Sequence, residues 1–188
     1  MRLRVILLWI CGLWLSSQAG AAPVVNLKTN YYYIQGQSPR ELRHSMNAQR
    51  PKNQTHDAFT VWNVTWSYTW RNAEGGGVLI HQPKITVTIN TTLPRWSPPK
   101  DTDKFLVDRW TAYIKALALH ENGHAAYAIQ AGRDLEQRLA TLGKQPSAEL
   151  LKQTVDMIGH QLIAEAREKE KRFDEQTHHG MKQGARFP

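Results

Sequence analysis

The sequence has 188 residues, a formal net charge of +8 and an ordinary globular composition, which allows one compact domain with its own hydrophobic core. Its lysines and arginines are scattered rather than gathered on one face, so the charge does not indicate nucleic-acid binding. The one cysteine, Cys11, lies in the N-terminal segment. Disulfides and cysteine-rich zinc sites are therefore excluded from the rest of the chain, and any metal must be held by His, Asp or Glu.

The N-terminal segment has the features of a secretory signal peptide. Arg2 and Arg4 precede an apolar run over residues 5–15, and small residues follow at positions 19–22. We predict a signal peptide over residues 1–21, cut after Ala21 or one residue later. The apolar run is shorter than the roughly 20 residues that span a bilayer. We therefore expect no stable membrane span after cleavage, a single mature domain over residues 22–188, and a periplasmic or extracellular location.

The first half of the mature chain is predicted to be mainly β. Aromatic and β-branched residues dominate residues 31–34 and 59–70, and apolar and polar residues alternate over 78–93. The Gly-rich loop at 74–77 between two long strands predicts a hairpin. Ser38 and Pro39 are typical of a helix start, so a short helix to about Ala48 is expected between the strands.

The second half is predicted to be helical. Residues 94–99 contain three prolines and separate the two halves. Asp101 or Thr102 can cap a long helix whose apolar residues recur at helical spacing as far as Ile129. A turn at 143–146 precedes a second long helix that starts at Ser147. The predicted fold class is α+β: an N-terminal antiparallel, hairpin-rich sheet followed by a helical half.

The first long helix carries the motif His120-Glu121-Asn122-Gly123-His124. Two histidines four residues apart lie on one helix face, so both imidazoles can bind one zinc ion. Glu121 is placed to act as general base toward a zinc-activated water, which is the arrangement of zincin-type peptidases. Gly123 is unfavourable inside a helix, which indicates close approach of another element or of a substrate. The alternative is two helix histidines without a metal.

A third protein ligand must come from elsewhere in the chain. Gln130 occupies the position of the third histidine in the short extended motif, so that motif is excluded. Glu170 and Asp174 have the spacing of the Glu–Asp pair that some zinc peptidases use, although charged runs are often solvated faces. The remaining candidates on the second helix and beyond are Glu165, Glu168, His178 and His179, and spacing alone does not choose among them.

The sequence resembles the bacterial secreted domain-of-unknown-function family 922 in several motifs. They are Tyr33-Ile34-Gln35-Gly36, the Trp62 to Trp70 strand, Leu93-Pro94-Arg95-Trp96, Trp110 with the histidine motif, and Phe173-Asp174 through Thr177, His179-Gly180 and Gln183-Gly184. The resemblance implies a zinc-dependent protease with His120, His124 and His179 as ligands. It makes His178 a free position, and Asp174 either a partner that orients a ligand or the ligand itself. Phe173 stands where the family often has Tyr.

The expected function is therefore a secreted peptidase with one zinc ion per chain, acting on peptides or proteins of the cell envelope. The alternative is a non-catalytic zinc-binding interaction domain of the envelope. Glu121 favours the enzyme, because a structural zinc site has no need of a carboxylate beside its first ligand. Hydrolysis of cell-wall peptides would use the same chemistry, and the sequence leaves the substrate and the oligomeric state open.

Overall fold

A computed structural model describes residues 22–187 of the chain. The predicted signal peptide, residues 1–21, and Pro188 lie outside the described residues. The elements in chain order are β1 (Val24–Ile34), α1 (Pro39–Gln49), β2 (Phe59–Asn72), β3 (Val78–Trp96), α2 (Lys104–Ala140), α3 (Ala148–Thr177) and a short 3-10 helix (Met181–Gln183). The predicted α+β class, with strands first and two long helices after them, is confirmed.

Within residues 22–187 the strands form one sheet in the order β1-β3-β2. The predicted hairpin is present, because β2 and β3 pair antiparallel. However, β1 pairs with β3 in parallel, so the sheet is mixed and the expected antiparallel arrangement holds for the hairpin alone. The chain reverses once at α1 and again at the hairpin turn, so β3 runs in the direction of β1. The strand with the cleanest apolar alternation, β3, thereby takes the central position.

The prolines at 94–99 do not end the sheet where the sequence suggested, since β3 continues to Trp96. Pairing with β2 stops at Thr92, so Pro94 is paired with β1 alone, opposite Tyr32. A proline is tolerated where one side of a strand is unpaired, because its missing N–H breaks no ladder bond there.

The helix caps are largely those expected from the sequence. Ser38 Oγ accepts from Glu41 N, and Ser147 Oγ accepts from Leu150 N. The cap of α2 is Asp103, one or two residues after the predicted Thr102 or Asp101. Thr102 is engaged in a preceding turn, where its N–H and its hydroxyl both donate to Pro99 O.

Helix α2 packs against the sheet and α3 packs against α2, and a glycine in each helix allows close approach to the sheet. A Cβ atom on Gly132 would lie 2.4 Å from Val87 of β3, and one on Gly159 would lie 2.6 Å from Trp66 of β2. Hydrogen bonds from Thr60 and Trp62 bring the start of β2 to the middle of α2 and the later turns of α3, at Glu121 and Glu170. No helix within residues 22–187 has both the length and the apolar character needed to cross a membrane.

Candidate metal centre

The two motif histidines point from α2 into the protein. His120 is 4% exposed and His124 is 8% exposed. Helix α3 presents a matching pair toward them, Glu170 and Asp174, again four residues apart. Side chains at this spacing lie on one helix face, so the packing of α3 on α2 brings two histidines against two carboxylates.

Three potential ligand atoms form a nearly equilateral triangle. Asp174 Oδ1 lies 3.0 Å from His120 Nε2 and 3.1 Å from His124 Nε2, and the two Nε2 atoms are 3.2 Å apart. Ligand atoms about 2.0–2.1 Å from a tetrahedral zinc ion are separated by about 3.3 Å. The triangle therefore has close to the dimensions of three protein ligands around one ion, with the fourth position open.

The hydrogen bonds of the histidines direct their lone pairs toward this triangle. His120 Nδ1 donates to Gln183 Oε1 at 2.9 Å, and His124 Nδ1 donates to Glu170 Oε1 at 2.9 Å. With Nδ1 protonated, each Nε2 is left with a lone pair. Asp174 Oδ1, which faces both of them, is buried and accepts no hydrogen bond in the described part of the chain. Three lone pairs converging without a proton between them are stabilised by a cation, so the residues fit a zinc ion.

Glu170 is held in turn by the sheet. Its Oε1 atom also accepts from Trp62 Nε1 of β2 at 3.0 Å. The indole thus fixes the carboxylate that orients the ring of His124. Carboxylates and amides that orient ligand histidines in this way are a regular feature of zinc sites.

Glu121 lies beside this group and is fixed from β2. Its side chain is buried, at 3% exposure for the residue, and Thr60 Oγ1 donates to its Oε2 at 2.7 Å. Burial raises the pKa of Glu121, although the Thr60 hydrogen bond opposes this. A carboxylate with a raised pKa that faces a cavity is suited to accept a proton during a reaction.

The pKa values of the two histidines are shifted in opposite directions. Burial lowers the pKa of His120, and the nearby His124 lowers it further. The hydrogen bond between His120 and Gln183 acts in the opposite direction. Burial also acts to lower the pKa of His124, but the hydrogen bond to Glu170 and the charge of Asp174 outweigh it and raise the pKa. Metal binding requires both rings neutral, and the Nδ1 bonds hold the neutral tautomer that exposes Nε2.

His179, the preferred third ligand from the sequence, lies beside the triangle rather than in it. Its Nδ1 atom is 3.6 Å from Asp174 Oδ1, its side chain is 50% exposed, and its ring stacks on His56 at a centroid distance of 4.3 Å. The group of potential ligands is His120, His124 and Asp174. Asp174, the alternative that spacing had left open, stands beside the two histidines where His179 was expected, because the last turns of α3 face α2.

The turn after α3 nevertheless serves the site. His178, His179 and Gly180 all have positive φ angles, of 50°, 50° and 80°. A Cβ atom on Gly180 would lie 3.0 Å from His120 Cγ, so the turn lies against the His120 ring. This reversal brings Gln183 back to His120.

A cavity of about 930 Å³ is lined by His120, His124 and Asp174. Its lining includes Glu121, Thr60 and the His56–His179 pair at this end, and it extends along α2 past Leu117 to Arg109. Pockets of this size hold ligands of several hundred daltons, so a peptide segment fits beside the candidate metal centre.

Sequence reasoning missed Thr60 and assigned no role to Gln183. Thr60 lies on an alternating strand, where nothing marks one threonine from its neighbours, and its partner is 61 residues away. Gln183 belongs to a motif shared with the resembled family, and that was the available signal. Glu170 was recognised as a candidate ligand through its spacing from Asp174. In the structure it bonds the Nδ1 atom of His124 instead.

The fold and the site together define an α+β protein with an HExxH helix and a carboxylate supplied by the neighbouring helix. A family model described as "Bacterial protein of unknown function (DUF922)" matches residues 29–180. The chain belongs to this bacterial family, which confirms the resemblance drawn from its motifs. No curated protein and no solved structure matches the chain.

Proposed function

We propose that the protein is a zinc-dependent peptidase with His120, His124 and Asp174 as its metal ligands. The observation that carries the proposal is the convergence of two Nε2 lone pairs and an otherwise unbonded carboxylate oxygen, 3.0–3.2 Å apart, beside a buried glutamate. Zinc bound there supplies a Lewis acid that polarises a carbonyl and makes water acidic enough to be a nucleophile near neutral pH.

The chain's own residues supply the acid–base chemistry and the positioning. Glu121 takes a proton from the attacking water and can return it to the leaving amine, a role that its raised pKa favours. Thr60 holds the Glu121 carboxylate by its hydrogen bond. Glu170 and Gln183 keep both ligand rings in the required tautomer. The cavity holds the peptide beside these groups.

We also propose export to the cell envelope, where the substrate would be a peptide or protein. The basic and apolar start of the chain supports this part of the proposal. The second candidate function is a non-catalytic zinc-binding interaction domain. The burial of Glu121 against the site speaks for the enzyme, because a buried carboxylate carries a desolvation penalty and zinc binding alone does not require it.

Replacing Glu121 by Gln separates the two functions. Glu121→Gln keeps the shape and the Thr60 hydrogen bond but cannot accept the proton. We expect zinc content to be unchanged, while cleavage of a mixed fluorogenic peptide library falls by a factor of about 10²–10⁴. Glu168→Gln, an exposed change on α3, is the matched control and should retain full cleavage.

Two outcomes would contradict the peptidase. If Glu121→Gln cleaves as fast as the unaltered protein, Glu121 is not the base. If the zinc-loaded protein cleaves no member of the library, the interaction domain is the better account.

A further inference from the structure

The outer side of β1 is an open edge of the sheet. Within residues 22–187 this strand pairs with β3 alone, so its other side presents a row of backbone N–H and C=O groups that no neighbouring strand pairs. An edge of this kind is a template for a further strand. With 11 residues, β1 has about twice the usual length of a strand, so the template is a long one.

The β1 strand lacks the features with which edge strands commonly avoid pairing. It contains no proline and one charged residue, Lys28, and its register with β3 is continuous over the whole strand. The other edge strand, β2, has an irregular register between Ser67 and Thr69 and carries Arg71. Because bulges, prolines and charges are the usual protection of an edge, β1 is the edge better suited to association.

Alternate side chains of β1 form an exposed apolar strip beside the core. Leu27 lies opposite Ile89 of β3, a core residue that is 1% exposed. Paired residues share one face of a sheet, yet Leu27 is 68% exposed. Val25, Tyr31 and Tyr33 lie on the same face and are 36%, 45% and 66% exposed. The core face of the sheet thus continues beyond β3 as an uncovered strip, a kind of surface that commonly marks an interaction site.

The order of residues makes the strip complementary to itself. Its aliphatic side chains come first and its tyrosines last, so a second β1 that runs in the opposite direction brings unlike side chains together. In the pairing centred on Thr29, Leu27 lies opposite Tyr31 of the other copy and Val25 lies opposite Tyr33. Pairs of aromatic with aliphatic or β-branched side chains are favourable across strands.

The neighbouring registers fit less well. Centring the pairing on Lys28 sets two like charges directly opposite each other, which destabilises a sheet. Centring it on Asn30 leaves Val24 and Val25 without a partner in the other strand. The pairing centred on Thr29 joins all residues of β1 and sets Lys28 opposite Asn30.

We propose that two copies of this chain associate through the outer edges of β1, antiparallel and centred on Thr29. The product is a two-fold dimer with one continuous six-stranded sheet, in which the same surface of each copy contacts the other. The two apolar strips cover each other, and the outer backbone groups of both strands become paired. The residues that line the cavity lie outside β1, so the inference is independent of the proposed peptidase.

Oxidative cross-linking of Thr29→Cys in the mature protein tests both the dimer and its register. Cys11 lies in the predicted signal peptide, so the introduced thiol is the only one. In the proposed dimer the two Cβ atoms at position 29 are about 5 Å apart, close to the spacing of a disulfide. We expect a disulfide-linked dimer to form readily under mild oxidation and to fail to form in denaturant. Asn26→Cys, on the same strand, is the control, because its two copies lie about 20 Å apart.

Sedimentation of the mature protein supplies a second test. We expect the unaltered protein to approach twice the monomer mass as its concentration is raised. Leu27→Lys should raise the Kd of the dimer about tenfold or more, because it buries a charge between the apolar strips. Val61→Lys, at an exposed residue of β2, is the matched control and should leave the Kd unchanged.

Three results would overturn the inference. One is an unaltered protein that stays monomeric at every concentration. Another is a dimer that Leu27→Lys leaves intact, which places the interface elsewhere. The third is cross-linking of Asn26→Cys as fast as that of Thr29→Cys, which excludes the pairing centred on Thr29.

Discussion

At the scale of single residues, hydrogen bonds decide what each polar side chain of the site can do. His120 and His124 each donate one ring proton outward, to Gln183 and Glu170. Their remaining nitrogens are therefore acceptors that face Asp174 Oδ1 across 3.0 and 3.1 Å. With both rings neutral, the arrangement gathers acceptors alone, and a bound cation would stabilise it; the metal proposal rests on this.

A hydrogen bond also determines the chemistry of Tyr113, a residue of α2 that lines the cavity. Its hydroxyl donates to Asp57, and its ring is 2% exposed. Burial and the neighbouring Asp57 charge raise the pKa of Tyr113 above its ordinary value of 10.0. Above pH 10 the unfolded chain releases this proton while the folded protein retains it, so the free energy of unfolding falls as pH rises.

The Tyr113→Phe variant should show that the free energy of unfolding depends on the protonation of Tyr113. We expect it to lower the free energy of unfolding at pH 7 by about 1–2 kcal/mol, because a hydrogen bond to a charged group is lost. Between pH 9 and 11 the variant should lose less stability than the unaltered protein, as followed by urea titrations. Tyr33→Phe, at an exposed tyrosine of β1, is the control. A pH slope unchanged by Tyr113→Phe would show that this tyrosine titrates normally.

At the scale of elements, the site depends on how closely α3 approaches α2. Gly123 makes this possible, since a Cβ atom there would lie 2.5 Å from Phe173 Cζ. Phe173 in turn stacks on His120 at a centroid distance of 5.0 Å. The glycine that disfavours the helix locally thus allows the adjacent residue, Asp174, to reach the histidines. The expectation of a close approach at Gly123 is confirmed, with α3 as the partner.

Gly123→Ala is predicted to damage the site although alanine favours helices. The helix gains about 1 kcal/mol of propensity, but the methyl group overpacks the interface at a cost of about 1–3 kcal/mol. We expect a net loss of stability of roughly 1 kcal/mol by urea denaturation, and weaker zinc binding by chelator competition.

Two further variants make this test specific to the interface. Gly143→Ala, where no atom lies within 4 Å of the added Cβ, is the matched control. Adding Phe173→Leu to Gly123→Ala should restore part of the zinc affinity by making room. If Gly123→Ala binds zinc as tightly as the unaltered protein, the helix approach does not position Asp174.

At the scale of the whole molecule, the sequence predicts what is local and leaves open what is distant. His120, Glu121 and His124 lie within two turns of one helix, so their spacing alone places them together. The proposed third ligand, Asp174, lies on α3 some fifty residues later, in a region where several acids and two histidines were chemically suitable. The orientation of α3 on α2 places Asp174 beside the two histidines. That orientation depends on side-chain packing, which spacing alone does not reveal.

In the sheet, too, the local pairing was predictable from the sequence and the distant pairing was not. The hairpin of β2 and β3 is a local feature with a glycine turn, and it was predicted. The parallel pairing of β1 with β3 joins strands more than fifty residues apart, such as Val24 with Thr86, and no periodicity encodes it. Thr60 was missed for the same reason, because its importance comes from Glu121 on a distant helix.

The most direct test of the central claim is the zinc content of the purified protein by elemental analysis, with Asp174→Ala and His179→Ala measured beside it. We predict one zinc ion per chain, lost in Asp174→Ala and retained in His179→Ala, because Asp174 Oδ1 completes the triangle with His120 and His124. No zinc in the folded protein after loading, or loss of zinc in His179→Ala with retention in Asp174→Ala, would contradict the account.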